Sequence, residues 1–249
     1  MKRTMGRKPD ELRPWKISRG VLSYAEGSAY VEAGKTRVLA AASIEDRVPP
    51  FLTNGDSGWV TAEYSMLPRA TRSRSPRERG NRLSGRTFEI QRMIGRSLRC
   101  VTRLASFGKR TVTVDCDVIE ADGGTRVAAI TAAWVALYAA FETLVGRGEI
   151  SSVPLTDSVA GVSVGIVAGK MVLDLDYDED STADVDMNVV MTGRGRLVEI
   201  QATAEGLPFS VARMNALVKL AHNGLQRLAG LQARALAEPP RQGILIEHG

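Results

Sequence analysis

The sequence predicts an α+β protein built from a duplicated strands-then-helix unit, with mixed sheets and helices packed on them. Three observations lead there. Short alternating apolar runs, the mark of half-buried strands, precede one long apolar or amphipathic run in each half of the chain. Glycine-centred turns separate those runs, and no stretch of disordered composition divides the halves. The 249 residues, 44% hydrophobic, are enough for a sizeable core. The expected organisation is one domain over residues 1–238, with pseudo-repeats at about 12–147 and 158–237, and an extension over 239–249.

The elements follow in order. "GSAYVEAGKTRVLAAASIE" alternates on either side of Gly34-Lys35 and predicts a hairpin; "GWVTAEYSML" predicts a further strand. The Arg-, Ser-, Gly- and Pro-rich stretch from Arg69 to Gly85 predicts a mobile loop. In "RTFEIQRMIGRSLRCVTRL", Ile90, Ile94, Leu98 and Val101 share a stripe, and Arg92, Arg96, Arg99 and Arg103 lie mostly off it. That is an amphipathic helix with a basic outer face. "RTVTVDCDVIE" reads as a strand, followed by the turn "DGGTR" and the apolar run Val127 to Val145. The run approaches the ~20 residues a bilayer span needs, but Glu142 interrupts it and Arg126 abuts it, so a core helix is expected and no membrane partner. In the second half "DSVAGVSVGIVAGKMVLDLDY" predicts two strands joined at Gly169, and "VDMNVVMTGRGRLVEIQATAEG" a hairpin around Gly193 to Gly195. A long helix over Ser210 to Leu236 closes the unit, with Ser210 as its N-cap.

The net charge is +5, unevenly spread. Arg69, Arg72, Arg74, Arg77, Arg79, Arg82, Arg86, Arg92, Arg96, Arg99 and Arg103 crowd one stretch, opposed only by Glu78 and Glu89. Lysine is absent there, and arginine suits planar recognition of phosphate, so nucleic acid or another polyphosphate is the expected partner. Cys100 and Cys116 lack metal-ligand spacing and are expected as buried, reduced thiols. The charged segment "MKRTMGRKPDELRPW" has no apolar signal core, which makes the cytoplasm the expected location.

Some motifs mislead. "GDSGW" and "GVSVG" resemble serine-nucleophile signatures, yet both histidines, His222 and His248, lie downstream of the first, and the second falls inside a strand. The run "DLDYDEDSTADVDMN" lacks the Gly and Glu of a calcium loop and leaves a dense set of carboxylates that either faces water or surrounds a cation. Only two histidines are present, so a metal there would take oxygen ligands, favouring Mg²⁺ or Mn²⁺. In "DGGTR", two glycines permit close backbone approach, and Thr125 and Arg126 open a helix whose unpaired N–H groups attract anions. It is either an anion site or a plain helix start.

Taken together, "GWVTAEYSMLPRAT", "SGRTFEIQRMIGRSLR", "VDCDVIEADGGTRVAAIT", "YDEDSTADVDMNVVMT" and "VEIQATAEG" resemble successive signatures of the ribonuclease PH family, phosphorolytic exoribonucleases that trim the 3′ ends of transfer-RNA precursors. The resemblance runs in unbroken order from about Leu12 to the last helix. It implies a phosphate site at Arg86, Gly124, Thr125 and Arg126, with inorganic phosphate as co-substrate. It also implies a divalent ion, Mg²⁺ or Mn²⁺, on Asp180 and Asp186, making Arg86, Arg126, Asp180 and Asp186 the catalytic set. The RNA surface implied is Arg69, Arg72, Arg74, Arg77 and Arg79 with the helix residues Arg92, Arg96 and Arg99, and the assembly a homohexamer, a trimer of dimers. Departures are Ala for an expected Gly in "QATAEG" and "ITAAW", and Asn188 where related polynucleotide phosphorylases carry Lys. A metal-dependent hydrolytic exoribonuclease, which would release monophosphates, and a non-catalytic RNA-threading ring subunit are the rival readings.

Overall fold

The structure is a computed structural model that describes residues 3–78 and 83–241. Strands β1 (Trp15–Arg19), β2 (Gly27–Ala33), β3 (Thr36–Glu45), β4 (Trp59–Met66) and β5 (Thr111–Glu120) form one sheet in the order β1-β2-β3-β5-β4. Its pairs are antiparallel except β4 with β5, which are parallel and joined through α1 (Gly85–Cys100). A parallel pair cannot be linked by a tight turn, so a helix in the connection is the expected solution. The second sheet, antiparallel throughout, has β6 (Val159–Val167), β7 (Lys170–Leu173), β8 (Val185–Thr192) and β9 (Leu197–Ala204) in the order β7-β6-β8-β9. Helices α2 (Thr125–Gly146), α3 (Tyr177–Asp180) and α4 (Val211–Ala237) complete the described elements, with short 3-10 turns at Thr4–Gly6, Pro50–Leu52 and Leu104–Phe107.

The α+β architecture, the mixed sheet and the strands-then-helix order are as the sequence predicts. Alternation sets the faces: β3 buries Thr36, Val38, Ala40 and Ala42 and leaves the residues between them half-exposed, so one face meets the core. Helix α2 packs on β2, β3 and β5 of the first sheet and on β6 of the second, which accounts for a helix apolar on nearly every face. It is long and apolar enough to cross a membrane, yet within the molecule Val127 through Leu137 are all buried. At about 1.5–3 kcal/mol for each fully buried large apolar side chain, α2 is anchored at the centre of the core, and its N-terminus is fixed with it. Helix α4 begins as expected at Ser210, whose Oγ accepts the Arg213 N–H at 3.3 Å.

Two expectations are corrected, and two elements are new. The amphipathic helix stops at Cys100, because Thr102 bridges to Leu155 and the Arg103 N–H donates to the Pro154 carbonyl, pulling the chain out of helical geometry. Cys116 is buried, but Cys100 is exposed on the last turn of α1. Strand β1 and the four-residue α3 are not anticipated by the sequence, β1 because only Ile17 of its five residues is buried, α3 because four residues are too few for a periodic signal.

Candidate active site

Between β5 and α2 the chain makes a tight turn at Gly123 and Gly124. Gly123 and Gly124 have φ of 78° and 65°, a region side chains rarely enter. A Cβ on Gly123 would lie 2.7 Å from the backbone of Leu175 and Asp176, so glycine is what lets this turn touch the acidic segment. The turn's carbonyls are tied down: Thr36 Oγ1 donates to Gly123 O at 2.7 Å, and Arg13 Nη1 to Asp122 O at 2.6 Å. With Gly124 as N-cap, no side chain caps the first N–H groups of α2. They face a pocket of about 450 Å³ whose wall includes Gly123, Gly124, Thr125 and Arg126. Thr125 Oγ1 accepts the Tyr64 hydroxyl at 2.9 Å, which leaves the threonine proton free to donate. Burial pushes the Tyr64 phenol up, so it remains a donor at neutral pH.

Two arginines reach the same pocket. Arg126 is held through Nη1, which donates to Gln201 Oε1 at 2.8 Å and Glu89 Oε1 at 3.4 Å. Gln201 Nε2 donates to Glu199 Oε1 at 3.2 Å, and Glu199 Oε2 pairs with Arg96 at 3.2 Å. A chain of side chains therefore fixes one corner of the Arg126 fork and leaves the rest for the pocket. The Arg86 side chain, in the first turn of α1, makes no hydrogen bond or ion pair among the described residues and lines the pocket. A helix dipole contributes only ~0.3–2 kcal/mol to anion binding; two guanidinia and a hydroxyl converging beside it make a strong oxyanion site.

The acidic run does not behave as one set. Asp174 is fully buried with φ of 57°, gripped by Arg13 at 2.8 Å and by the Trp15 indole at 2.9 Å. Burial pushes its carboxyl up, but Arg13 and these hydrogen bonds overcome that and hold it below the usual carboxylate range. Asp176 caps α3 and meets Arg7, while Glu179 pairs with Arg3 at 2.7 Å and Arg7 at 3.2 Å. Asp178 is exposed beside Arg72, and Asp184 is exposed. The expectation that the run as a whole faces water or a cation is thus corrected: Asp174, Asp176 and Glu179 are neutralised by arginines from residues 3–13.

That sorting leaves Asp180 and Asp186 in the pocket wall. Burial, then the charge of Asp180, pushes Asp186 up to about 6; burial also raises Asp180, against the pull of Arg126 and Arg86. Asp186 Oδ1 is buried without a hydrogen-bond partner among the described residues, Oδ2 accepts from Asn188 Nδ2 at a long 3.5 Å, and the Asp180 carboxyl lies close enough to perturb it. A buried carboxylate oxygen without a partner, beside a second carboxylate, fits a divalent ion. No group of three or more His, Cys, Asp or Glu is placed to hold one among the described residues. Two carboxylates are enough for Mg²⁺ or Mn²⁺, which keep water and substrate oxygens as further ligands.

All six residues expected at the phosphate and metal sites thus line one pocket. The RNA-surface arginines divide. Thr71, Arg72, Ser73 and Ser75 of the basic loop form its rim; Arg69, Arg74 and Arg77 are exposed nearby in sequence, and Arg79 lies outside the described residues. Arg92, Arg96 and Arg99 are absent from the wall. Arg99 is corrected from a free basic residue: Nη1 donates to Val60 O at 2.8 Å and its guanidinium stacks 4.4 Å from the Trp59 ring centroid. Tyr64, Tyr177, Gln201 and Arg13 escape sequence reading; Gln201 stands inside the motif "VEIQATAEG", but nothing there tells that it faces Arg126.

A cationic cradle for a small oxyanion facing a pair of carboxylates, set between two α+β halves, defines an enzyme acting on phosphate esters. Residues 11–141 match domain 1 of the 3′ exoribonuclease family and residues 157–224 match domain 2, and the chain belongs to that family. It is 54% identical over 240 residues to ribonuclease PH of Moorella thermoacetica, covering 96% of each chain. It is 56% identical over 232 residues to ribonuclease PH of Methylobacterium radiotolerans, covering 93% of this chain and 98% of that one. In fold it is similar to the Archaeoglobus fulgidus exosome with RNA bound to its active site, with a TM-score of 0.78 and 23% identity over 92% of both chains. It is likewise similar to rice Rrp46, with a TM-score of 0.75 and 20% identity over 93% of this chain and 98% of that one.

Proposed function

We propose that this protein is a phosphate-dependent 3′–5′ exoribonuclease that releases nucleoside 5′-diphosphates and, in reverse, extends RNA from them. The single observation that carries this reading is the convergence of Arg86, Arg126, Thr125 and the uncapped N-terminus of α2 on one pocket opposite Asp180 and Asp186. Inorganic phosphate held there attacks the last internucleotide phosphorus. A P–O bond to phosphate forms, the P–O3′ bond breaks, and the departing 3′ oxygen takes the proton that the incoming hydrogen phosphate carried. Phosphate is already ionised at neutral pH, so no general base is needed, in keeping with a pocket wall without histidine among the described residues. Phosphate and phosphodiester repel each other; holding them in register contributes up to ~7–11 kcal/mol to catalysis.

Asp180 and Asp186 would hold the divalent ion, Mg²⁺ or Mn²⁺, which supplies charge neutralisation at the transferred phosphorus when bound. The exposed Arg69, Arg72, Arg74 and Arg77 would track the RNA backbone. Transfer-RNA 3′ ends as substrate, the homohexameric ring and a cytoplasmic location belong to the same proposal, supported by the resemblance to ribonuclease PH. A hydrolytic enzyme would need no place for free phosphate beside its substrate, and a degenerate ring subunit would not need both arginines and both carboxylates. The test is to incubate the protein with a 3′-tailed transfer RNA with and without phosphate and identify the nucleotide released. Diphosphates that appear only with phosphate support the reading; monophosphates, or equal rates without phosphate, refute it.

A further inference from the structure

A pocket of about 450 Å³ is far larger than a phosphate ion and falls within the range that takes a nucleotide-sized ligand. Its wall is almost entirely suited to phosphate and sugar: arginines, hydroxyls, carboxylates and glycine backbone. Among the described residues one aromatic ring lines it, that of Tyr177. The ring is 48% exposed and makes no ring-ring contact with another aromatic side chain among the described residues. What rests against it is the Arg72 guanidinium, 5.2 Å from the ring centroid, on a side chain also paired with Asp178 at 2.9 Å. A planar cation on a tyrosine face occupies the position that a nucleobase would take.

Tyr177 opens α3 and Asp180 closes it, three residues on, so the two side chains are neighbours on one helix face, ~5–6 Å apart at Cβ. A base stacked on Tyr177 therefore sits one nucleotide's reach from the carboxylate pair. We propose that Tyr177 is the stacking platform for the 3′-terminal nucleobase, on the face where the Arg72 guanidinium rests. This rests on the exoribonuclease reading of the pocket. Both members of the Arg72–Asp178 pair are at least 70% exposed, and an ion pair so exposed is weak, so Arg72 leaves the ring at little cost and is freed to meet RNA phosphate. Every base has a π-face and no base-edge reader is needed, so the platform accepts any of the four bases.

The test uses an oligoadenylate carrying 2-aminopurine at its 3′ end, titrated with protein in phosphate-free buffer with chelator, where stacking quenches the probe. Wild type and Tyr177→Phe are expected to quench it equally. Tyr177→Ala is expected to lose the quenching and to bind about 5–10-fold more weakly, the lower part of the range measured for losing one stacked base. The same probe placed six nucleotides inward is expected to respond alike in all three proteins. Equal quenching by Tyr177→Ala, or loss of quenching with Arg72→Ala instead, overturns the proposal. Phosphate-dependent diphosphate release, assayed on the same wild-type preparation, tests the exoribonuclease reading separately: binding and quenching without phosphorolysis would sink that reading and leave the platform standing.

Discussion

Gln201 holds Arg126 at the pocket wall, and replacing it isolates aim from charge in the proposed phosphate site. Gln201→Met keeps the length and packing of the side chain but removes the acceptor that Arg126 Nη1 meets at 2.8 Å. A hydrogen bond to a charged group contributes about 1.5–3 kcal/mol. Arg126 is 17% exposed and keeps Glu89 at 3.4 Å, so water and that carboxylate recover part of it. A loss near ~1–1.4 kcal/mol corresponds to a rise of about 5–10-fold in KM for phosphate. Initial rates of diphosphate release against phosphate concentration, at saturating RNA, measure it directly. RNA affinity in phosphate-free buffer and the melting temperature should stay near wild type. An unchanged KM for phosphate, or an equal loss in RNA affinity, would refute the view that Gln201 acts through Arg126.

Asp186 makes folding depend on pH with a definite sign. Its folded pKa stands at about 6 against 3.8 for an ordinary aspartate, so the stability it contributes is fully present below the lower value and is lost as pH rises through the upper one. Asp186→Asn should therefore melt above wild type at pH 7–8 in chelator, and the gap should close toward pH 4; parallel melting curves would dismiss it. Gly123→Ala combines a left-handed φ, which costs about 1–3 kcal/mol outside glycine, with a Cβ 2.7 Å from the backbone of Leu175 and Asp176. Urea unfolding should show at least that loss, with phosphate binding impaired. Replacing Arg69, Arg72, Arg74 and Arg77 together by Ala should flatten the salt dependence of RNA binding by about 0.7 in log–log slope for each RNA phosphate left without its arginine. An unaltered slope would place the RNA surface elsewhere.

Much of this is legible in the amino-acid order alone. Strands and helices with faces to bury leave periodic traces, which is why the β2–β3 hairpin, β5, α2 and α4 all lie where the pattern puts them. Glycine followed by Thr-Arg at a helix start is a local signal, and it leads to the pocket floor. The acidic run is the opposite case. Which of its carboxylates are structural depends on arginines more than 160 positions away, as in Arg13 with Asp174, and no spacing within the run encodes that. Tyr64 and Gln201 escape for a similar reason: each sits on an ordinary strand and matters only for the neighbour it meets across elements. Arg99 shows the converse, a residue set on a basic face by helical spacing and claimed by Trp59 of the adjoining strand.

The arginines at positions 3, 7 and 13 also govern when the centre can come into being. Arg13 precedes Asp174 by 161 residues and Arg3 precedes Glu179 by 176. On the ribosome these cations emerge early, and the two helices that carry the cradle, α1 and α2, are synthesised ahead of the carboxylates that face it. Closing so long a loop comes late. A polypeptide that ends before residue 174 thus lacks both carboxylates of the pocket wall and the acidic partners of Arg3, Arg7 and Arg13.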